Sequence, residues 1–117
     1  MMGGRALPER AVAALRDAFA GEVATRLPGM QSAACEVLST GAVSAARALC
    51  SHAHTLASSA AVLGEAVASR HARHCEELLL AWTRDDAATV PREVAVDAAQ
   101  DVEAVALLLA PWLLGAA

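Results

Sequence analysis

Apolar residues recur at intervals of three and four along almost the whole chain, and few of them are strong strand formers. Thirty-one residues are alanine, while Ile and Tyr are absent and there is only one Phe. Alanine and leucine are the best helix formers, whereas strands favour β-branched and aromatic side chains. This alphabet at this spacing therefore predicts an all-α fold. At 117 residues the chain reads as a single helical domain, 1–117, with a core of about 8–114.

Sparse punctuation divides the pattern into four helical stretches. Pro8, a good first-turn residue, opens the first, which places Val12, Leu15, Phe19, Val23 and Leu27 on one face. Pro28-Gly29 predicts a kink rather than a break, because Met30, Ala34 and Val37-Leu38 keep the helical period. Ser39-Thr40-Gly41 reads as a tight turn and helix start. The second helix is expected from about Ala42 to Leu63, with Leu49, Ala53, Leu56, Ala60 and Leu63 inward and Gly64 as a left-handed terminator.

A third helix, Glu65 to about Thr83, buries Ala68, Ala72, Cys75, Leu79 and Trp82, and Arg84-Asp85-Asp86 begins the next loop. Pro91 opens the fourth, with Val94, Ala98, Val102, Val105, Leu109 and Trp112 inward, and Pro111 is expected to end or bend it. Short connections make neighbouring helices antiparallel. The expected architecture is an antiparallel up-down four-helix bundle with a kinked N-terminal helix.

Several function classes fall away. The formal net charge is −4, and the nine cations, all Arg, form no dense basic stretch, which argues against nucleic acid. The N-terminal M-M-G-G-R-A-L-P-E-R has no apolar core of a secretory signal. The longest apolar run, Ala104 to Ala117, contains Pro111 and falls short of the roughly 20 residues of a membrane span. A cytoplasmic protein without membrane contact is expected. Cys35, Cys50 and Cys75 are widely spaced and read as buried, reduced thiols.

The chain carries no G-x-x-x-x-G-K-[ST] loop, G-x-S-x-G elbow or H-E-x-x-H helix, so no nucleotide site or self-contained enzyme is expected. His71 and His74 stand three apart, a spacing open to a metal pair. Structural zinc wants four ligands and Cys75 points to the core, so these histidines read as part of a solvated face with Arg70, Arg73 and Glu77. No metal or cofactor of its own is expected. Glu93, Asp97 and Asp101 read as a solvated acidic edge of the fourth helix.

The two histidines of His52-Ala53-His54 separate by helical phase. His54 lies about 160° from Leu56, opposite the apolar stripe, and His52 within about 40° of it. His52 is thus expected to be half-buried and structural. His54 should face solvent together with Arg47, Ser51, Ser58, Ala61 and Glu65. A neutral imidazole, with an unperturbed pKa of about 6.5, is a competent nucleophile toward phosphorus. One ring nitrogen attacks while a hydrogen bond to the other fixes the tautomer. The product carries nearly two negative charges and benefits from nearby donors or cations.

The stretch Cys50 to Gly64, C-S-H-A-H-T-L-A-S-S-A-A-V-L-G, resembles the signature of the histidine-containing phosphotransfer (HPt) family, roughly A-H-x-L-K-G-S-A-x-x-x-G. The resemblance extends in helix order from about residue 10 to 114. His54 falls on the phosphoaccepting histidine, Leu56 on the inward leucine, Ser59-Ala60 on the S-A pair and Gly64 on the helix-ending glycine. Ala68, Ala72 and Cys75-Glu76 fall where the next helix usually carries Leu, Cys and Leu-Glu.

The resemblance implies a phosphocarrier of two-component signal transduction rather than an enzyme. His54 would accept a phosphoryl group from an aspartyl phosphate and donate it to another. The partners would be a response-regulator receiver domain, a hybrid histidine kinase, or both, with the receiver supplying Mg²⁺. Two positions depart from the pattern: Ala57 replaces the usual lysine and Ser58 a glycine. Arg47, or Arg70 or Arg73 from the next helix, is the expected substitute cation. Ser58 is small enough for docking and able to donate to the ring or phosphoryl group. Ser51, Ala57, Ser58 and Ala61 are expected to flank the histidine, with Ala57 and Ala61 at the contact centre. The alternative is a degenerate HPt-like bundle used for non-catalytic interaction or dimerisation, with the apolar end at Leu113-Leu114 as a contact or a core cap.

Overall fold

Two glycine reversals and one longer loop divide the helix-forming residues, and the fold follows these divisions. The computed structural model describes residues 8–115 and consists of α1 (Glu9–Thr40), α2 (Val43–Val62), α3 (Ala66–Leu80) and α4 (Arg92–Gly115). Among the described residues there is no strand, only one isolated bridge between Ala42 and Thr89. Each helix packs on the next and α4 packs back on α1, while the Cα atoms of the diagonal pairs stay more than 8 Å apart. The molecule measures 56 × 32 × 19 Å. A helix the length of α1 spans about 48 Å, so α1 sets the long axis.

All four helices contribute to one core. Met30, Leu49, Leu56, Leu79 and Leu109 are its largest fully buried side chains. Alanines 46, 53, 57 and 60 of α2, 68 and 72 of α3, and 95 and 98 of α4 fill the seams between them. Phe19 meets Trp112 edge-on at a centroid distance of 4.6 Å, closing the end where α1 and α4 pack. Val12 and Leu15, expected inside, are 40% and 42% exposed. α1 is longer than the two helices it packs against, and its first turns overhang them; burial begins at Phe19.

Both internal prolines are tolerated. α1 is continuous through Pro28, and α4 runs through Pro111 to Gly115 instead of ending there. Buried neighbours hold the helix on either side, Leu27 and Met30 at the first and Leu109 before the second. Ser39 and Thr40 belong to the last turn of α1, their hydroxyls donating to the carbonyls of Cys35 and Glu36. The reversal falls on Gly41 alone, at φ 66°. A Cβ there would lie 2.6 Å from Thr89 Cγ2, so both backbone and space demand glycine.

Gly64 adopts φ 79°, as expected of a left-handed terminator. Its N–H donates to Ala61 O and that of Glu65 to Ala60 O, the paired bonds of a Schellman end. α3 ends at Leu80, a few residues earlier than its apolar spacing suggested. Among the described residues, no helix is long and apolar enough to cross a membrane.

Cys50 and Cys75 are buried, whereas Cys35 is exposed, contrary to the expectation for all three. Burial, reinforced by the Glu76 carboxylate, pushes the Cys50 thiol up to about 11. Burial, with Asp101 as the next cause, pushes Cys75 up to about 12. Both therefore stay protonated and unreactive near neutral pH. A disulfide thiol reagent is expected to modify one cysteine rapidly in the native protein and the other two only after unfolding. Three equally fast thiols would contradict this burial.

Candidate functional site

His54 lies on the side of α2 opposite Leu56, and its side chain is 69% exposed. Its Nδ1 is 3.0 Å from one carboxylate oxygen of Glu76 on α3 and 3.3 Å from the other. Glu76 is mostly covered at the α2–α3 seam. A carboxylate only accepts, so the neutral ring carries its proton on Nδ1 and leaves the Nε2 lone pair free on an exposed ring. The ring thus keeps one nitrogen lone pair unengaged by Glu76, with its tautomer set by a neighbouring helix.

The expected neighbours divide. Ser51, Ser58 and Ala61 are exposed with His54. Ser58 Oγ donates to the main-chain carbonyl of His54 at 3.1 Å rather than to the ring. Ala57 is only 2% exposed and lies in the α2–α3 seam, so it cannot be a docking centre. Ser69 Oγ donates 2.8 Å to the Ala57 carbonyl, which shows how closely α3 covers this position.

Arg47 is also elsewhere engaged. Its Nε and Nη2 donate to the Thr83 carbonyl at 3.0 and 2.8 Å, and it pairs with Asp86, so it braces the α3–α4 connection. Seven residues from His54 is about 10 Å along the helix. Glu65 leaves the His54 face as well: after the Gly64 reversal it accepts a 3.0 Å hydrogen bond from Trp112 Nε1. Arg70 and Arg73 are exposed on α3.

His52 is half-buried, as its phase predicted, with Nδ1 3.4 Å from Arg26 Nη1. Its ring lies against Gly29, where an added Cβ would stand 2.6 Å from Nε2. The glycine after Pro28 thus makes room for an imidazole from α2. Gly29→Ala is expected to push the ring outward and raise carbethoxylation of His52. Helix propensity favours alanine by about 1 kcal/mol and offsets the lost contact, so Tm should move little. An unchanged His52 reactivity would mean that α1 shifts instead.

Two carboxylates carry more than their sequence positions suggested. Glu76 entered the sequence reading only within the Cys75-Glu76 pair, and nothing local marks it as the partner of His54. Asp101, expected on a solvated edge with Glu93 and Asp97, is buried. Its two oxygens meet Nδ1 of His71 at 2.9 Å and Nδ1 of His74 at 2.5 Å. The edge pattern holds for Glu93 and Asp97, which are exposed. Among the described residues, no group of three or more His, Cys, Asp or Glu is arranged to hold a metal ion.

Among the described residues, fold and site together define an all-α protein of four helices with an exposed imidazole–carboxylate pair across α2 and α3. Compared with family models, curated proteins and solved structures, the chain matches none.

Proposed function

We propose that this chain is a histidine phosphotransfer protein of a two-component relay, carrying a phosphoryl group on His54 between receiver-domain aspartates. The observation that carries this reading is the exposed His54 ring with Nδ1 on Glu76. The Nε2 lone pair attacks the phosphorus of an aspartyl phosphate. The N–P bond forms as the acyl O–P bond breaks, and the electron pair leaves on the receiver's carboxylate. The ring becomes cationic, and the Glu76 carboxylate on its Nδ1–H stabilises that charge. The reverse sequence donates the group to a second receiver. Mg²⁺ held by the receiver would neutralise the phosphoryl oxygens.

Docking on this reading uses the small exposed residues Ser51, Ser58 and Ala61 around His54. Arg73, exposed one turn before Glu76, is the cation assigned to the phosphoryl group, since Arg47 is occupied. The antiparallel up-down order and a bend at Pro28 belong to the same reading. Cys50 and His54 meet Glu76 while Ala57 meets Ser69, so α2 ascends as α3 descends, which supports that order. The partners are a response-regulator receiver domain or a hybrid kinase in the cytoplasm.

A second reading, a non-catalytic interaction or dimerisation module of HPt-like shape, draws on the missing lysine and on Leu107 and Leu114, 74% and 81% exposed on α4. The test is incubation with receivers of the source genome carrying labelled aspartyl phosphate. Acid-labile, alkali-stable label on this chain is expected within minutes. Absence of label from every receiver, with a dimer in sedimentation, would replace the relay by the second reading.

A further inference from the structure

A second imidazole–carboxylate arrangement lies on the seam between α3 and α4, independent of the His54 reading. His71 and His74 stand three residues apart on α3, which makes their side chains surface neighbours. Each ring gives its Nδ1 to a different oxygen of the same Asp101 carboxylate, whose side chain is 9% exposed. The two rings are 40% and 58% exposed. A carboxylate that accepts from both Nδ1–H groups leaves Nε2 as the free ring nitrogen on each. Metal-binding histidines almost always donate their other ring N–H to a carboxylate, carbonyl or water, which fixes the ring and raises its basicity. Here one buried carboxylate fixes the orientation of two histidine rings.

We infer that His71 and His74 form a two-imidazole site for a divalent late transition-metal ion, bound at their Nε2 atoms, with Asp101 as the carboxylate behind both. Imidazole nitrogen suits Zn²⁺, Ni²⁺ and Cu²⁺, and Cu²⁺ should bind most tightly. The chain supplies two ligands, so the remaining positions belong to water or an exogenous ligand. The site is open and exchangeable rather than a closed structural one. Cys75 is not a third ligand, because it is fully buried and its thiol stays protonated. Asp101 already orders both rings, so binding incurs less of the rotamer cost that two free surface histidines would meet. An ion held there ties α3 to α4 through Asp101 and raises Tm.

The experiment is calorimetric titration of the tag-free protein with Zn²⁺ and Ni²⁺, paired with thermal melts. One ion per chain is expected, with a rise in Tm. His71→Ala and His74→Ala should each weaken binding at least about ten-fold, and Asp101→Asn about ten-fold, as loss of a carboxylate behind a metal-binding histidine does. His52→Gln and His54→Gln should leave it unchanged. If Asp101→Asn does not fold, the exposed His74 decides through its alanine variant. Equal affinity in the His71→Ala/His74→Ala double variant would overturn the site. So would the absence of both heat and Tm change at millimolar Zn²⁺, or a folded Asp101→Asn protein that binds as tightly as the wild type.

Discussion

His54→Gln is expected to lower acid-labile phosphoryl incorporation to background, while His52→Gln retains most of it. Both variants replace an imidazole two residues apart on one helix, so general damage to α2 would affect them alike. Their surroundings differ. His54 presents an exposed ring with Nδ1 on a carboxylate, whereas His52 lies against Gly29 and Arg26. Glutamine keeps the polarity and much of the size of histidine but has no nucleophilic ring nitrogen. Label that survives in His54→Gln and disappears in His52→Gln would reverse the assignment.

Glu76→Ala should slow transfer about 10- to 100-fold, comparable to the loss when a reacting group is misplaced by about an ångström. Because Glu76 acts through the ring, receiver affinity should change far less than the transfer rate. Glu76→Gln keeps an acceptor for Nδ1–H but not the negative charge, and should fall between the two. Equal rates in all three proteins would remove Glu76 from the mechanism.

Leu56→Ala is expected to cost about 2–5 kcal/mol of stability, the range for a buried leucine truncated in a core that cannot close. Leu56 is fully buried, and the α2 residues beside it are Ala53, Ala57 and Ala60. Short, fixed side chains cannot swing into the space that the leucine leaves. Domains of this size hold about 5–15 kcal/mol in total, so one such change removes a large share. Urea unfolding followed by circular dichroism should show a lower midpoint at unchanged slope. Leu107→Ala, on an exposed position of α4, should stay within about 0.5 kcal/mol of wild type. Equal losses in the two variants would mean that α2 is not the centre of the core.

The contrast between Leu56 and Ala57 shows what helical phase can resolve. Phase separated His54 from His52 correctly because it depends only on residues within one helix. The resemblance, not phase, placed Ala57 beside His54, while by phase that position sits at the edge of the stripe. The depth to which α3 covers that edge depends on the close approach marked by Ser69 Oγ on the Ala57 carbonyl. The apolar period likewise ran on through Val12 and Leu15, whose burial depends on how far the neighbouring helices reach. Arg47 was placed on the face of His54, yet the α3–α4 connection takes its guanidinium through the Thr83 carbonyl.

By itself the sequence determined the all-α class, the outward direction of His54 and the half-burial of His52. It also determined the left-handed stop at Gly64. Each follows from propensity, periodicity or the conformational freedom of glycine, which act within a few residues. Tertiary structure alone decided that Glu76 orients His54, that Asp101 is buried beneath two histidines and that Arg47 is occupied. Those pairings join residues 22, 27, 30 and 36 positions apart. They depend on the register in which whole helices pack, and that register is settled by the summed burial of the core rather than by any local pattern.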